Sequence, residues 1–130
     1  LNFSGFPDLL PAYLVACAVR KQRIRISGIA HLALKESNRT ETLALNFRRL
    51  GVDFFSEQDY WIFDASGFNI PDGLLIETAK DHRMAMAFAV LGMLKPLAID
   101  DVDCVNKSFP GFWNELKKCN LELEHPPYGI

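Results

Sequence analysis

Two eleven-residue stretches of this chain carry no charge, "LLPAYLVACAV" at 9–19 and "MAMAFAVLGML" at 84–94. A helix that spans a bilayer takes about 20 apolar residues, so neither stretch is long enough to cross a membrane. A helix that is apolar nearly all round asks instead to be buried on every side. Any fold for this chain must therefore place two such helices, 9–20 and 83–94, inside a core that the rest of the chain builds. Its 130 residues, 49% of them hydrophobic, suffice for one domain with a sizeable core and are too few to promise two.

The two stretches also lie in register. With Asp8 and Asp81 as origins, 73 residues apart, Ala12 falls with Ala85 and Ala16 with Ala89. Ile24 then meets Leu97, Ile26 meets Ile99 and Ile29 meets Val102, and one deletion later Lys35 meets Lys107. Self-similarity of this kind marks two copies of one supersecondary unit. Each copy runs from an apolar helix to a short strand, 23–29 or 97–101, and on to an amphipathic helix. The alternation Arg23, Ile24, Arg25, Ile26 supports the first strand. The first amphipathic helix is expected over 38–50, with Leu43, Phe47 and Leu50 on one stripe. The second is expected over 109–119, with Phe112, Trp113 and Leu116.

Gly51 stops the first amphipathic helix, and "VDFFSEQDYWIFDA" reads as a hairpin with its turn near Glu57 to Asp59. No such hairpin follows the second copy. The expected fold is thus α/β (α+β), with a β-α-β-α-β-β unit over about 1–65, a truncated second unit over about 74–120 and a tail at 121–130. A missing hairpin leaves a sheet edge that other chain must cover. The start on Leu1, in "LNFSGFPD", likewise reads as the middle of a longer protein.

A net charge of −2 gives no reason to expect nucleic acid or an anionic membrane as partner. Three scattered cysteines, Cys17, Cys104 and Cys119, form neither a disulfide framework nor a zinc motif, and they fit a reducing, cytoplasmic setting. No metal or cofactor is expected. Basic chemistry must come from local clusters.

Two clusters qualify. In "HLALKESNR" (31–39), Lys35 and Arg39 lie four apart, on one face of a helix, with Glu36 between them. Asn38 and Glu41 have capping-box spacing. A helix start with two cations suits an anion, and a carboxyl group beside it suits proton transfer. The plainer reading is a solvated helix start with ion pairs worth about 0–1 kcal/mol each. In "KDHRMAM" (80–86), Asp81, His82 and Arg83 precede the most apolar helix. Charges there must face a crevice, solvent or a ligand, or serve as an Asp81 cap with Arg83 paired at the surface. Lys107 precedes the second amphipathic helix, so both copies place charge at equivalent helix starts. The residues alone leave both readings open.

"FPDLLP", "RIRISGIAHLALKESNR", "LGVDF", "DHRMAMAF" and "DCVNKSFPGFW" resemble, in order and spacing, motifs from the C-terminal part of the 5-enolpyruvylshikimate-3-phosphate synthases. The resemblance covers nearly the whole chain. The related UDP-N-acetylglucosamine enolpyruvyl transferases share that fold but lack the pairing of D-H-R-M-A with K-E-S-x-R.

The resemblance implies a transferase of the shikimate pathway, in aromatic amino-acid biosynthesis, with phosphoenolpyruvate and shikimate 3-phosphate as its small-molecule partners. It implies a fold of repeated units, with apolar helices inside and amphipathic ones outside, in which the N-terminal part of the protein supplies the other half of the cleft. Asp8 then matches a residue on the shikimate hydroxyl and a candidate base. Lys35 matches a shikimate 3-phosphate ligand that shares in that proton transfer, and Glu36 the acid–base group for the phosphoenolpyruvate methylene. Arg39, Arg83 and Lys107 match cations that clamp phosphoenolpyruvate, with His31 and Asp81 beside the substrates. Asn38 stands where the family has aspartate, and Ala33 where an arginine is common. The implied consequence is a chain inactive by itself. The alternatives are a non-catalytic binding or assembly module of the same fold, or a related UDP-N-acetylglucosamine enolpyruvyl transferase.

Overall fold

The computed structural model describes residues 7–27, 39–58, 60–119 and 121–123, with the side chains of Pro7 and Arg39 left aside. His31, Lys35 and Glu36 lie outside the described residues.

A single 3-10 turn, Pro7–Leu9, leads into α1, Leu10–Val19. Pro11 sits in the first turn of α1, where a missing backbone N–H costs nothing. The helix closes with Lys21 N–H donating to the Ala18 carbonyl at 2.9 Å and Gln22 N–H to that of Cys17 at 3.0 Å. Lys21 takes the left-handed φ of 56° that this closure requires.

The next helix, α2 (Arg39–Arg49), closes in the same way. Gly51 N–H bonds to the Arg48 carbonyl at 3.1 Å and Val52 N–H to that of Phe47 at 2.9 Å, with Gly51 at φ 78°. A Cβ on Gly51 would also collide with the Gly67 carbonyl. Both conformation and space therefore call for glycine here.

Strands β1 (Arg23–Ile26), β2 (Asp53–Glu57) and β3 (Tyr60–Asp64) make an antiparallel sheet in the order β1-β3-β2. Arg23 faces Asp64, Ile26 faces Trp61 and Glu57 faces Tyr60. The hairpin expected at Glu57 to Asp59 is β2–β3, and Gln58 carries the turn at φ 53°. The alternation in β1 buries Ile26 completely and leaves Arg25 outside, stacked over the Tyr60 ring at 4.8 Å.

A second, parallel pair joins β4 (Leu75–Ile76) to β5 (Ala98–Ile99) through α3, His82–Ala89. Parallel neighbours need such a crossover. The apolar run expected as one helix over 83–94 is α-helical only to Ala89 and tightens to a 3-10 turn at Val90–Met93. Gly92 weakens its last turn, and Pro96 bars continuation. A 3-10 turn at Val102–Val105 and α4 (Phe112–Lys117) follow, tied together by Trp113 Nε1 donating to the Val102 carbonyl at 2.9 Å. The helix is shorter than the expected 109–119 because Pro110 and Gly111 precede it.

The core forms where α2, the three-stranded sheet and α3 meet. Phe47 lies 4.9 Å, centroid to centroid, from both Phe63 and Phe88, and Phe54 lies 5.5 Å from Phe63. All four rings are fully buried or nearly so. Edge-on and tilted contacts of this kind add about 0.5–1.5 kcal/mol per pair beyond area burial. Asn46 of α2, also fully buried, donates from Nδ2 to the Glu77 carbonyl at 2.8 Å and accepts from Glu77 N–H at 3.0 Å. That exchange fixes β4 to α2.

Burial on every side, expected for the apolar helices, holds on one side only. Leu10, Leu14, Val15 and Ala18 of α1 are buried, whereas Ala12, Tyr13, Ala16 and Val19 are exposed. No helix among the described residues is long and apolar enough to cross a membrane.

Candidate functional site

α1 packs against α3, and along their open sides runs a groove of about 580 Å³. Ala12, Ala16 and Val19 line it from one helix, Met86 and Val90 from the other. Asp8 and Arg83 stand where the helices begin, and Arg20 where α1 ends.

Asp81 takes an extended backbone before α3, and its carboxylate accepts from Arg83 N–H at 2.9 Å, the N-cap expected from sequence. The same oxygen lies 3.5 Å from Arg83 Nη1. Arg83 Nε lies 3.1 Å from Asp8 Oδ1. One guanidinium thus joins the two aspartates that define the sequence register, one nearly buried and one 65% exposed at the side chain. Arg83 is itself 31% exposed, so part of its guanidinium is open to the groove mouth. Two carboxylates to one guanidinium do not by themselves concentrate positive charge, so an anion bound here needs further cations.

Lys107 is exposed on the turn that follows Val102–Val105, and that 3-10 turn packs against α3. Arg39 opens α2 with its side chain outside the described residues. Of the residues singled out from sequence, the described structure brings Asp8, Asp81 and Arg83 together. No cluster of three or more metal-type ligands occurs among the described residues.

Sequence reasoning missed the polar residues behind Asp81. Asp100, just past β5, accepts from Thr78 N–H at 3.1 Å and from Thr78 Oγ1 at 2.9 Å. Thr78 is fully buried just past β4. Burial pushes the nearby Cys104 thiol above its ordinary pKa, and the carboxylates of Asp101, Asp100 and Asp81 push it the same way, against a side-chain contact with Thr78.

The architecture is thus an α/β one in which charged helix starts face a groove between α1 and α3. The family model described as EPSP synthase (3-phosphoshikimate 1-carboxyvinyltransferase) matches residues 1–116. Among curated relatives, a 3-phosphoshikimate 1-carboxyvinyltransferase of Bacteroides fragilis is 34% identical over 125 residues, which is 95% of this chain and 30% of that protein. One of Methanoregula boonei is 39% identical over 119 residues, 91% of this chain and 28% of the relative. The solved structure of EPSP synthase from Acinetobacter baumannii superposes with a TM-score of 0.73 at 29% identity, over 88% of this chain and 27% of that one. The chain belongs to the EPSP synthase family. It spans about 30% of the length of the first of these relatives.

Proposed function

We propose that this chain supplies one side of the cleft of a transferase that moves the enolpyruvyl group of phosphoenolpyruvate to the 5-hydroxyl of shikimate 3-phosphate. The observation that carries the reading is the Asp8–Arg83 contact at 3.1 Å, which sets a carboxylate and a cation at the mouth of one groove. Two copies of one unit, about 1–65 and 74–120, would place these groups at corresponding helix starts.

The reaction is an addition followed by an elimination. The hydroxyl oxygen bonds to C2 of phosphoenolpyruvate as its proton passes to Asp8, with Lys35 sharing in the transfer. Glu36 gives a proton to the methylene carbon. The intermediate then returns that proton to Glu36 as the bond from C2 to the phosphate oxygen breaks, leaving the enolpyruvyl ether and inorganic phosphate. Arg83 offers the open part of its guanidinium to the phosphoenolpyruvate anion while Nε stays on Asp8, and Arg39 and Lys107 add the charge that a lone guanidinium lacks. Lys35 and His31 serve shikimate 3-phosphate. Preorganised cations of this kind favour the transition state because they need no reorganisation as charge moves.

Because two carboxylates flank Arg83, the chain alone is inactive in this reading and works only when the rest of a full-length enzyme closes over the groove. Phosphate release from the two substrates tests it. No turnover is expected from the chain alone, and turnover is expected when the remaining part is supplied. Turnover by the chain alone would defeat the two-sided cleft, and none in the assembled protein would defeat the assignment.

A further inference from the structure

We infer that Thr78 and Asp100 are positioning residues for Arg83, acting through a left-handed turn at Ala79 and Lys80; the inference deepens the anion-binding reading above and rests on it. Ala79 has φ 52° and Lys80 φ 59°. Two consecutive non-glycine residues in this region are unfavourable and persist only where neighbours over-determine them. The neighbours are specific here. Asp100 Oδ1 takes both the N–H and the hydroxyl of buried Thr78. The Thr78 hydroxyl oxygen accepts from Lys80 N–H at 3.2 Å, and the Thr78 carbonyl accepts from Asp81 N–H at 2.9 Å. Asp81 then caps α3 and contacts the Arg83 guanidinium.

A continuous path therefore runs from the end of β5 to the cation at the groove mouth. β4 and β5 are parallel and in register, Leu75 with Ala98 and Ile76 with Ile99. Thr78 and Asp100 each lie just past the C-terminal end of its strand, the end at which open parallel sheets place their ligands. Asp100 N–H also bonds to the Ile76 carbonyl at 3.1 Å, which anchors the acceptor to the sheet. If the turn relaxed, Asp81 would leave the cap and Arg83 would lose one of the two carboxylates that aim it.

The test uses the chain assembled with the rest of a full-length enzyme and labelled with nitrogen-15 arginine, following the Arg83 Nε–H resonance and its response to added phosphoenolpyruvate. Asp100→Ala should shift the resonance, speed its exchange with water and weaken phosphoenolpyruvate binding about ten-fold, the factor that matches one strained residue. Asp100→Asn keeps an oxygen that accepts both Thr78 donors and should behave as the parent chain. Lys80→Gly in the Asp100→Ala background should restore the resonance and the affinity, because glycine holds a positive φ without support. An unchanged Arg83 signal in Asp100→Ala, or no recovery with Lys80→Gly, would overturn the inference. If the parent assembly failed to bind phosphoenolpyruvate while the Arg83 signal still shifted in Asp100→Ala and returned with Lys80→Gly, the anion-binding reading would fall and the positioning role would stand.

Discussion

Arg83 Nε and Asp8 Oδ1 lie 3.1 Å apart, although the two residues belong to the starts of different helices. The contact exists because α1 and α3 pack side by side. Each helix is preceded by an aspartate, so the packing delivers two carboxylates and one guanidinium to the same end of the groove. Arg83→Ala, in the chain assembled with the rest of a full-length enzyme, should lower kcat/KM by about 10²–10³-fold. Arg83→Lys should recover little, since a point charge cannot hold Asp8 and a substrate anion through one planar fork. Steady-state kinetics measure both. The lost pair with Asp8 should by itself cost less than about 1 kcal/mol of stability, because that pair is largely exposed.

Asn46→Ala should be far more costly to the fold. It strands both the carbonyl and the N–H of Glu77 next to a fully buried site, and the expected loss is about 2–4 kcal/mol. Urea unfolding followed by circular dichroism gives the value. A loss within about 0.5 kcal/mol would mean that β4 does not depend on α2.

Two glycines with the same backbone sign should separate conformational from steric cost. Gly51 and Gly73 both have positive φ, 78° and 73°, but a Cβ on Gly73 meets nothing whereas one on Gly51 meets the Gly67 carbonyl. Gly73→Ala should cost about 1 kcal/mol. Gly51→Ala should cost clearly more in the same unfolding experiment.

Asp64 is held below the ordinary carboxylate pKa, chiefly by the hydrogen bond from Ser66 N–H at 3.0 Å and less by Arg23. Asp72 is lowered by its hydrogen bond and charge contact with Lys95 at 2.8 Å. A carboxyl group whose folded pKa is depressed binds protons less readily than in the unfolded chain. Its stabilisation is complete above the unfolded pKa of about 4 and disappears as pH falls through the lower folded value. Urea midpoints should therefore fall below about pH 4, and Asp64→Asn should flatten part of that fall. An unchanged acid slope in Asp64→Asn would count against the Ser66 contact.

The three thiols should react in a fixed order. Cys119 is exposed, whereas Cys17 is buried and Cys104 partly so, and burial raises the pKa of both. Iodoacetamide at neutral pH should label Cys119 first, and Cys17 and Cys104 mainly through opening of the fold. Mass spectrometry of timed samples reads the order directly.

Patterns that repeat locally were legible in the sequence. The apolar runs, the alternation at 23–26, the hairpin and the Asp81 cap each leave a mark within a few residues, and each stands in the fold. Residues joined only by tertiary structure left no such mark. β4 is two residues long, too short for any period, and Asn46 reaches Glu77 across 31 positions. Asp100 reaches Thr78 across 22. The helices' open sides were hidden for a different reason. Alanine, valine and methionine are apolar whether they face a core or a groove, so composition could not separate the two. Of the site, the sequence marked the charged residues before each apolar helix, while the family resemblance assigned the roles.

A crystal structure of the chain assembled with the rest of a full-length enzyme, with phosphoenolpyruvate bound, puts the two-sided cleft to its plainest test. A terminal nitrogen of Arg83 should lie about 2.7–3.2 Å from a ligand oxygen, with Nε still on Asp8 and with Arg39 and Lys107 around the same anion. A ligand bound elsewhere, with Arg83 turned away from it, would contradict the reading.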